Sequence, residues 1–382
     1  MKVCDVVLNS IWFDPRVNRQ IEQYLLDPEI ELSLVGMKCE RYSKEKVDKY
    51  RVPVEIVDIP VEYKGKQYSL YKKIMREWIT NKLVSEAIVR MKPDIIHAND
   101  LNAFIPAMMV AKTINAKVIY DSHEIYTENG RAAKNRLYKS YLKTVEKRNI
   151  KKCAGMVCVS HAAAKYFAEV YHINEPMVIT NCMPTSYMLK QPPEKHPGFE
   201  VLNHGQFYEG RGYELMVKAC GLLADLPEVH MCIRGFGVLE EALHREAEKL
   251  PNPEQFHFYP PVDVHDLIPE ASCSHVGVAI TLPISINFAK SVSNKIFEYI
   301  FAGIPVIMSD IEEHRYLNEK YHFGIILEEN TPDCLANAVR KLYTDKELYA
   351  VCSQNARKMS KEINWETEFG KLIAYEKGLM KA

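Results

Sequence analysis

Short apolar runs alternate with longer amphipathic segments along almost the whole chain. The short runs suit strands that are buried on both faces, and the amphipathic segments suit helices that cover those faces. Such alternation is typical of βα units on a parallel sheet, so the sequence predicts an α/β fold. The predicted helices include residues 17–26, 74–91, 213–223, 238–249 and 365–379.

The predicted strands form two series, one on each side of a polar stretch that carries Pro192, Pro193 and Pro197. The first series is 3–8, 31–35, 54–59, 94–97, 117–121, 156–160 and 177–180. The second is 201–204, 230–234, 255–259, 275–280, 305–308 and 324–327. A length of 382 residues also favours two cores.

The strand series predict two Rossmann-like domains that face each other across a cleft. We expect the first domain over residues 1–186, a linker over 187–199 and the second domain over 200–360. We expect residues 361–382 to form a C-terminal helix that crosses back to the first domain.

Composition places the chain among ordinary globular proteins, with 47% hydrophobic and 26% charged residues and a net charge of -1. That balance gives no reason to expect a nucleic-acid partner. The ten cysteines include no Cys-x-x-Cys pair, which predicts free, buried thiols and no zinc site. No apolar stretch approaches the roughly 20 residues of a membrane span, and Val3–Leu8 resembles a strand more than a signal peptide. We therefore expect a cytoplasmic protein.

Two glycine-bearing turns follow strands of the second series. The segment Gly205-Gln206-Phe-Tyr-Glu-Gly-Arg211-Gly212 leads into a predicted helix, where backbone N–H groups and an arginine suit a phosphate. The segment Arg234-Gly235-Phe-Gly237 has the same placement and would let a ligand approach the backbone. A plain turn is the alternative for each.

The segment from Ser293 to Ile307, Ser-Asn-Lys-Ile-Phe-Glu-Tyr-Ile-Phe-Ala-Gly-Ile-Pro-Val-Ile, predicts a helix between a polar loop and a strand. Ser293 is a candidate N-cap, and Gly303 is expected to end the helix. Asn294 and Lys295 would then lie near the sheet edge, and Glu298 would lie one turn in. A carboxylate there can accept hydrogen bonds from the two hydroxyls of a ribose; the alternative is a surface charge.

The last segment resembles the donor-binding signature of glycosyltransferase family 4, in its Lys-x-Phe-Glu branch. The loop Gly205–Gly212 is similar to the phosphate loop of that family. Further matches follow the family order over nearly the whole chain: Asn9–Arg19 with Asp14-Pro-Arg16-Val, Asp94-Ile-Ile-His97-Ala-Asn-Asp100, Tyr120-Asp-Ser-His123-Glu124 and Val159-Ser160. The resemblance implies the GT-B fold and transfer of a sugar from a nucleotide donor, by default a UDP-sugar.

The resemblance also implies roles for individual residues. The position of Glu298 binds the ribose, and Arg211, helped by Lys295, neutralises the diphosphate, so that neither a metal nor a cofactor is required. His123 is expected at the catalytic centre, as a hydrogen-bond donor to the sugar. The remaining expectations are donor contacts by Gly205, Gln206, Gly212, Arg234, Gly235, Gly237, Ser293 and Asn294, and acceptor contacts by Asp14, Arg16, Asn18, His97, Asp100 and Glu124.

The chain departs from the family pattern at Lys290, where the general signature has a first glutamate that contacts the donor sugar. Sugar recognition is therefore open, with Ser285–Asn287 and the backbone of 290–292 as candidates. The resemblance implies retention of anomeric configuration by front-face substitution. No residue suggests itself as a dedicated nucleophile.

Basic residues are dense in two segments, 64–76 and 131–152, and both segments contain interleaved tyrosines. Such surfaces could bind anionic lipid headgroups of a membrane, as would suit a lipid-linked glycan acceptor at the inner face of the membrane. A solvated helix face with an apolar core side is the alternative.

Three other functions compete with transfer. A non-catalytic nucleotide-sugar-binding subunit would explain the missing glutamate. A sugar-nucleotide epimerase would share the fold but would need further acid and base groups. A dinucleotide oxidoreductase is disfavoured because no Gly-x-Gly-x-x-Gly turn follows the first predicted strand.

Overall fold

The computed structural model describes residues 1–9, 11–38, 43–59 and 70–381. The chain divides into two compact units. Unit 1 comprises Met1–Thr180 and Glu368–Ala382, and unit 2 comprises Asn181–Thr367. Each unit contains one parallel sheet with its own hydrophobic core, which confirms the predicted pair of Rossmann-like domains and the GT-B fold class.

Unit 1 is built on a seven-stranded parallel sheet with the order β3-β2-β1-β4-β5-β6-β7. The strands are β1 Lys2–Val6, β2 Glu31–Met37, β3 Val54–Val57, β4 Ile95–Asn99, β5 Lys117–Ser122, β6 Gly155–Cys158 and β7 Met177–Val178. The helices are α1 Pro15–Leu25, α2 Lys44–Asp48, α3 Leu70–Met91, α4 Asp100–Val110, α5 Gly130–Lys134, α6 Arg136–Ile150 and α7 His161–Tyr171. The strand order reverses between β1 and β4, and ligands of open α/β sheets bind at the carboxyl ends of the strands at such a point.

Unit 2 repeats this plan with six parallel strands in the order β10-β9-β8-β11-β12-β13. They are β8 Phe199–Gln206, β9 Val229–Phe236, β10 Phe256–Tyr259, β11 Val276–Ala279, β12 Val306–Met308 and β13 Gly324–Ile326. The helices are α8 Tyr213–Gly221, α9 Glu240–Ala247, α10 Leu267–Cys273, α11 Ile286–Lys290, α12 Asn294–Ala302, α13 Glu312–Tyr321, α14 Pro332–Thr344 and α15 Lys346–Glu362. Here the order reverses between β8 and β11. A further helix, α16 Trp365–Lys381, begins in unit 2 and belongs to unit 1 from Glu368 onward.

The unit boundaries differ from the predicted linker at 187–199, because that stretch belongs to unit 2. Phe199 is buried at the start of β8, and Lys195 donates hydrogen bonds to the carbonyls of Ser272 and Ser274. Proline content suggested a solvated connection, but the stretch packs through its aromatic ring and its lysine. At the other end of the chain, the division falls within α16, whose residues from Glu368 onward pack with unit 1.

Two further sequence predictions concern the cysteines and the membrane. The nine cysteines among the described residues are free thiols, and most of them are buried. Within the described ranges, the helices are all too short or too polar to cross a bilayer.

Candidate functional site

The loop after β8 carries the first predicted donor residues. Gly205 has a φ of 121°, and Gly212 precedes α8 with a φ of 79°, so both occupy the left-handed region that favours glycine. Gln206 ends β8 and is exposed. The guanidinium of Arg211 lies over the ring of Phe288, with 5.0 Å from its central carbon to the ring centroid. The turn therefore presents open backbone and a supported arginine at the switch point of the sheet.

Lys295 lies in the first turn of α12 and is buried. Its ammonium donates a 2.6 Å hydrogen bond to Asn203 Oδ1 and a 3.4 Å one to the hydroxyl of Tyr213. Asn203 also donates to the carbonyl of Arg211, which links the lysine to the glycine-bearing loop. Asn203 thus contacts both Lys295 and Arg211, the two cations that are predicted to bind the diphosphate.

Neither cation forms an ion pair with any carboxylate in the described part of the chain. Burial and, to a smaller extent, the charge of Arg211 lower the pKa of Lys295 to about 7, against a smaller opposing effect of Glu298. Burial likewise lowers the pKa of Arg211. A buried lysine and a half-buried arginine, neither with a carboxylate partner among the described residues, form a site that an anion would stabilise.

Glu298 follows Lys295 on α12, and Gly303 ends the helix with a φ of 71°, as predicted. The carboxylate is partly exposed, with 18% of its side-chain surface accessible. Its Oε2 lies 2.6 Å from Nε2 of His204, a buried residue near the end of β8. The sequence analysis did not identify His204, because the histidine contacts Glu298 only once β8 and α12 are packed together.

Ser293 stands at the N-cap position of α12, but its side chain makes no capping hydrogen bond. Its hydroxyl is buried and has no hydrogen-bond partner among the described residues. The predicted capping interaction is therefore wrong. Asn294 is exposed and accepts a hydrogen bond from Asn181. The N-terminus of α12 keeps N–H groups, an unused hydroxyl and a buried ammonium together.

The second glycine-bearing turn is occupied by internal contacts. Arg234 is buried and donates to the carbonyl of Pro260 and, at 2.8 Å, to Glu270. A side chain at Gly235 would meet the carbonyl oxygen of Gly205 at 1.9 Å, and Gly237 is similarly close to the backbone of Phe207. These glycines allow the turns after β8 and β9 to pack together. Close backbone packing therefore accounts for both of them without a donor contact.

Lys290, the departure from the family pattern, ends α11. Its ammonium lies 2.6 Å from a carboxylate oxygen of Glu312, the first residue of α13, and both side chains are about one-third exposed. The two helices follow β11 and β12, so this pair lies at the same carboxyl edge of the sheet as Glu298. Position 290 thus carries a lysine whose partner is a carboxylate from the next βα unit.

In unit 1 the predicted residues converge on Asp121, which is the last but one residue of β5 and is fully buried. Arg16 binds both of its carboxylate oxygens, at 3.0 and 2.9 Å, and also donates to the carbonyl of Ile179. Gln20 donates to the same carboxylate at 2.7 Å. Burial alone would raise the pKa of Asp121, but the charges of Arg16 and His123, together with hydrogen bonds from His123 and His97, hold it well below its ordinary value.

His97 belongs to the same network and has no exposed surface. Its Nε2 lies 3.3 Å from Asp121, and its Nδ1 lies 3.1 Å from the hydroxyl of Tyr24, which donates to Glu376 on α16. Burial alone would lower the pKa of His97, but hydrogen bonds to Asp121 and Glu376 outweigh it and raise the pKa to about 10. Arg16 and His97 are both buried, and both hold Asp121 in place. Direct contact of these two residues with an acceptor stays a prediction.

His123 follows β5 and is the partly exposed member of this cluster, with 15% of its side-chain surface accessible. Its ring lies 2.9 Å from Asn99 Oδ1, and its backbone N–H donates to Asp100 Oδ1 at 3.0 Å. Burial alone would lower the pKa of His123, but the charges of Asp100 and Asp121 raise it. A partly exposed imidazole with a raised pKa can donate a hydrogen bond from the edge of the cluster, which suits a group that contacts substrate.

The other predicted acceptor residues make local contacts. Asp14 caps α1 through the N–H groups of Arg16 and Val17. Asn18 donates to the carbonyl of Trp12 and accepts from Tyr50, and Glu124 accepts from Asn129. Asp14 and Asn18 therefore order the loop after β1, and the structure gives each a hydrogen-bond partner within unit 1.

The basic segments are described in part. Residues 64–69, which include Lys64 and Lys66, lie outside the described residues, as do the side chains of Lys72, Lys73 and Arg131. On α6, Leu137 is 84% exposed and Tyr141 is 53% exposed. Lys139 and Lys143 pair with Glu128 at 2.6 and 2.7 Å, so part of the positive charge is compensated.

Comparison with known proteins gives matches to two family models that adjoin each other. The model of Glycosyltransferase Family 4 matches residues 16–187, and the model of Glycosyl transferases group 1 matches residues 188–359. A Haemophilus influenzae protein described as an uncharacterized glycosyltransferase is 23% identical over 315 residues, 82% of each chain.

Solved structures agree in fold. The structure of Alr3699/HepE from Anabaena, in complex with UDP, has a TM-score of 0.74 at 15% identity, with 100% of both chains covered. A glycosyltransferase from Rickettsia africae has a TM-score of 0.76 at 14% identity, with 100% of this chain and 99% of that one covered. With both halves of the sequence matched by family models, the chain belongs to the group 1 glycosyltransferases of glycosyltransferase family 4.

Proposed function

We propose that this glycosyltransferase moves a sugar from a UDP-sugar to a glycan or lipid-linked glycan, with retention and without a metal or cofactor. The donor nucleotide binds at the carboxyl edge of the unit 2 sheet. One observation carries this assignment: Arg211 and Lys295 are cations without carboxylate partners in the described part of the chain, next to a helix N-terminus with an unused hydroxyl. Such a site suits a diphosphate.

The nucleotide portion of the donor follows from Glu298, one turn along the same helix. Its partly exposed carboxylate can accept hydrogen bonds from the vicinal hydroxyls of a ribose. UDP as the nucleotide is supported by the fold neighbour HepE, which holds UDP. A carboxylate next to two cations suits a ligand that has both hydroxyls and phosphates.

The proposed reaction breaks the bond between the anomeric carbon and the diphosphate oxygen. The acceptor hydroxyl oxygen bonds to that carbon on the same face, and its proton passes to the departing diphosphate oxygen. Arg211 and Lys295 stabilise the negative charge that develops on the diphosphate. His123, at the exposed end of the Asp121 cluster, donates a hydrogen bond to the reacting sugar. In this mechanism the protein holds the acceptor hydroxyl and the donor sugar in reacting positions and supplies no nucleophile of its own.

A binding panel tests the donor assignment. Thermal shift and calorimetry with UDP, ADP, GDP and their sugar conjugates should identify a nucleoside diphosphate that binds. Glu298→Ala should weaken that binding by about tenfold, because hydrogen bonds to a charged group are lost. Glu362→Ala, at the end of α15 away from this edge, is the control. If none of these nucleotides binds the wild-type protein, the donor assignment fails.

For the acceptor we propose a lipid-linked glycan at an anionic membrane surface. A pocket of about 180 Å³ in unit 1 is lined by apolar and aromatic side chains, among them Leu8, Leu101, Ile105, Tyr126 and Tyr138. It is bordered by α6, which combines exposed Leu137 and Tyr141 with a row of lysines and arginines. Apolar anchors among basic residues suit an anionic lipid surface.

Vesicle sedimentation distinguishes this acceptor from a soluble glycan. Binding to vesicles that contain anionic phospholipid, lost at high salt and absent with neutral vesicles, would support the membrane surface. Leu137→Ser with Tyr141→Ser should reduce it several-fold while UDP binding is unchanged. Salt-insensitive or absent binding would leave a soluble glycan as the acceptor.

The two alternative functions predict different results in a transfer assay. A non-catalytic subunit would bind the nucleotide-sugar and show no transfer across a broad acceptor screen; the lysine at position 290 is its only support. An epimerase would convert the donor sugar without any acceptor, which proton NMR of the donor incubated with the protein would detect.

A further inference from the structure

We infer that His204 is a positioning residue for nucleotide recognition, which holds the Glu298 carboxylate in the orientation that reads the ribose. The inference rests on the proposed donor site and adds a residue that lies outside the family signature described above. Its basis is a 2.6 Å contact between His204 Nε2 and Glu298 Oε2.

The direction of this hydrogen bond follows from the chemistry of the two groups. A carboxylate accepts, so the imidazole carries a proton on Nε2 and donates it. The other nitrogen, Nδ1, is buried and has no hydrogen-bond partner among the described residues. A proton on Nδ1 would be a buried donor without a partner, which is costly. The tautomer with its proton on Nε2 is therefore the form that fits both surroundings of the ring.

The ring of His204 has little freedom to move. It is 2% exposed, and its centroid lies 4.6 Å from that of Tyr299, the residue after Glu298. The hydroxyl of Tyr299 accepts from the backbone N–H of His204 and donates to the carbonyl of Leu202. The end of β8 and the first turns of α12 are thereby joined by three hydrogen bonds.

The two partners differ in exposure, and this difference assigns their roles. Glu298 has 18% of its side-chain surface accessible, whereas His204 has 2%. The histidine therefore cannot contact a ribose itself, but it fixes one carboxylate oxygen and so restricts the directions in which the carboxylate can accept further hydrogen bonds. A carboxylate held by a donor loses less side-chain entropy when ligand hydroxyls bind.

Three variants of His204 separate its hydrogen bond to Glu298 from the packing of its ring. The amide nitrogen of a glutamine reaches the place of Nε2, whereas that of an asparagine reaches only the place of Nδ1. We expect His204→Gln to keep the contact with Glu298 and His204→Asn to lose it. His204→Phe keeps the ring against Tyr299 and removes the donor.

The measurement is the ratio of dissociation constants for UDP and 2′-deoxy-UDP, with ADP or GDP and their deoxy forms as probes if the panel selects those bases. The wild-type protein should prefer the ribonucleotide by about tenfold. His204→Asn and His204→Phe should reduce that ratio several-fold with little change in 2′-deoxy-UDP affinity. His204→Gln should restore most of it.

The outcomes separate the two proposals. If the wild-type protein binds no nucleoside diphosphate, the donor site itself fails. If it binds and prefers the ribonucleotide, but His204→Asn keeps that preference, only the role of His204 is overturned. A parallel loss of UDP and 2′-deoxy-UDP affinity with a lower melting temperature would make His204 a structural residue and also overturn the inference.

Discussion

Each unit has a cluster of charged residues at the carboxyl edge of its sheet. The two clusters differ in whether their charges have partners of opposite sign. In unit 1, Asp121 is surrounded by Arg16, Gln20 and His97, and each charge has a partner. In unit 2, Arg211 and Lys295 lie near each other without a carboxylate partner in the described part of the chain. Burial affects the charged groups of both clusters. The clusters differ in whether those groups have partners of opposite charge among the described residues.

The pKa values of one base from each unit show the consequence. Burial alone would lower the pKa of His97, yet Asp121 and Glu376 raise it to about 10. Burial, together with the charge of Arg211, lowers the pKa of Lys295 to about 7. Unit 1 thus uses its charges to hold its own structure, while unit 2 keeps charges that a ligand must complete.

The largest expected effect comes from breaking the internal network of unit 1. Asp121→Ala leaves Arg16 buried without its carboxylate and removes one of the two carboxylates beside His97, which should cost about 4 kcal/mol of folding free energy. Urea denaturation followed by hydrogen exchange of the unit 1 strands measures it. Asp310→Ala, which removes the exposed partner of Arg315, is the control and should change stability by less than about 1 kcal/mol. Equal effects of the two variants would contradict the comparison.

The next effect comes from removing an unpaired charge of unit 2. Arg211→Ala should leave folding intact and lower the transfer rate by about a hundredfold, or about 3 kcal/mol, because the diphosphate charge is no longer stabilised. A steady-state transfer assay measures it. Arg315→Ala is the matched control. Near-wild-type turnover of Arg211→Ala would remove the basis for the donor site.

A smaller effect is expected from removing His123, the partly exposed residue of the unit 1 cluster. His123→Ala should reduce the transfer rate by roughly 50-fold, since a hydrogen bond from a charged donor is lost, and should leave UDP affinity nearly unchanged. Transfer kinetics and calorimetry on the same preparation give both values. An equal loss of rate and affinity would mean that His123 serves the structure alone.

The smallest effect concerns the lowered pKa of Lys295. Below about pH 7 the ammonium is already charged, whereas above it a proton must be taken up when a diphosphate binds. UDP affinity should therefore fall between pH 7 and pH 9, by at most about tenfold per pH unit. Calorimetry in buffers of different ionisation enthalpy should show the proton uptake. Lys295→Arg should abolish the dependence; an unchanged slope in that variant would assign it to another group.

The sequence predicted the sheets well because buried parallel strands read as apolar runs. Each predicted strand overlaps an observed one, and α12 begins and ends where Asn294 and Gly303 indicated. Loop and cap chemistry was less predictable. Pro192 and Pro193 suggested a linker inside what is unit 2, and Ser293 does not cap its helix.

The side chains of the candidate site also divide into those that the sequence predicted and those that it did not. Residues within a continuous motif, such as Lys295 and Glu298, were identified from the motif itself. His204, Gln20 and Glu376 were missed because their partners lie far away in the sequence. Arg16 and His97 were predicted as acceptor contacts, and the structure shows both buried against Asp121. A motif does not reveal whether a charge will be exposed or paired. Packing decides that.

The position of Glu376 has a consequence for biosynthesis. Tyr24 and Glu376 are hydrogen-bonded although they stand 352 positions apart, and Tyr375 donates to the carbonyl of Ala154. Nearly the whole polypeptide must leave the ribosome before these contacts form. At about 5–20 residues per second, unit 1 waits tens of seconds with Tyr24 and His97 short of a partner. A nascent chain that stalls before α16 would thus expose an incomplete polar core to chaperones and proteases.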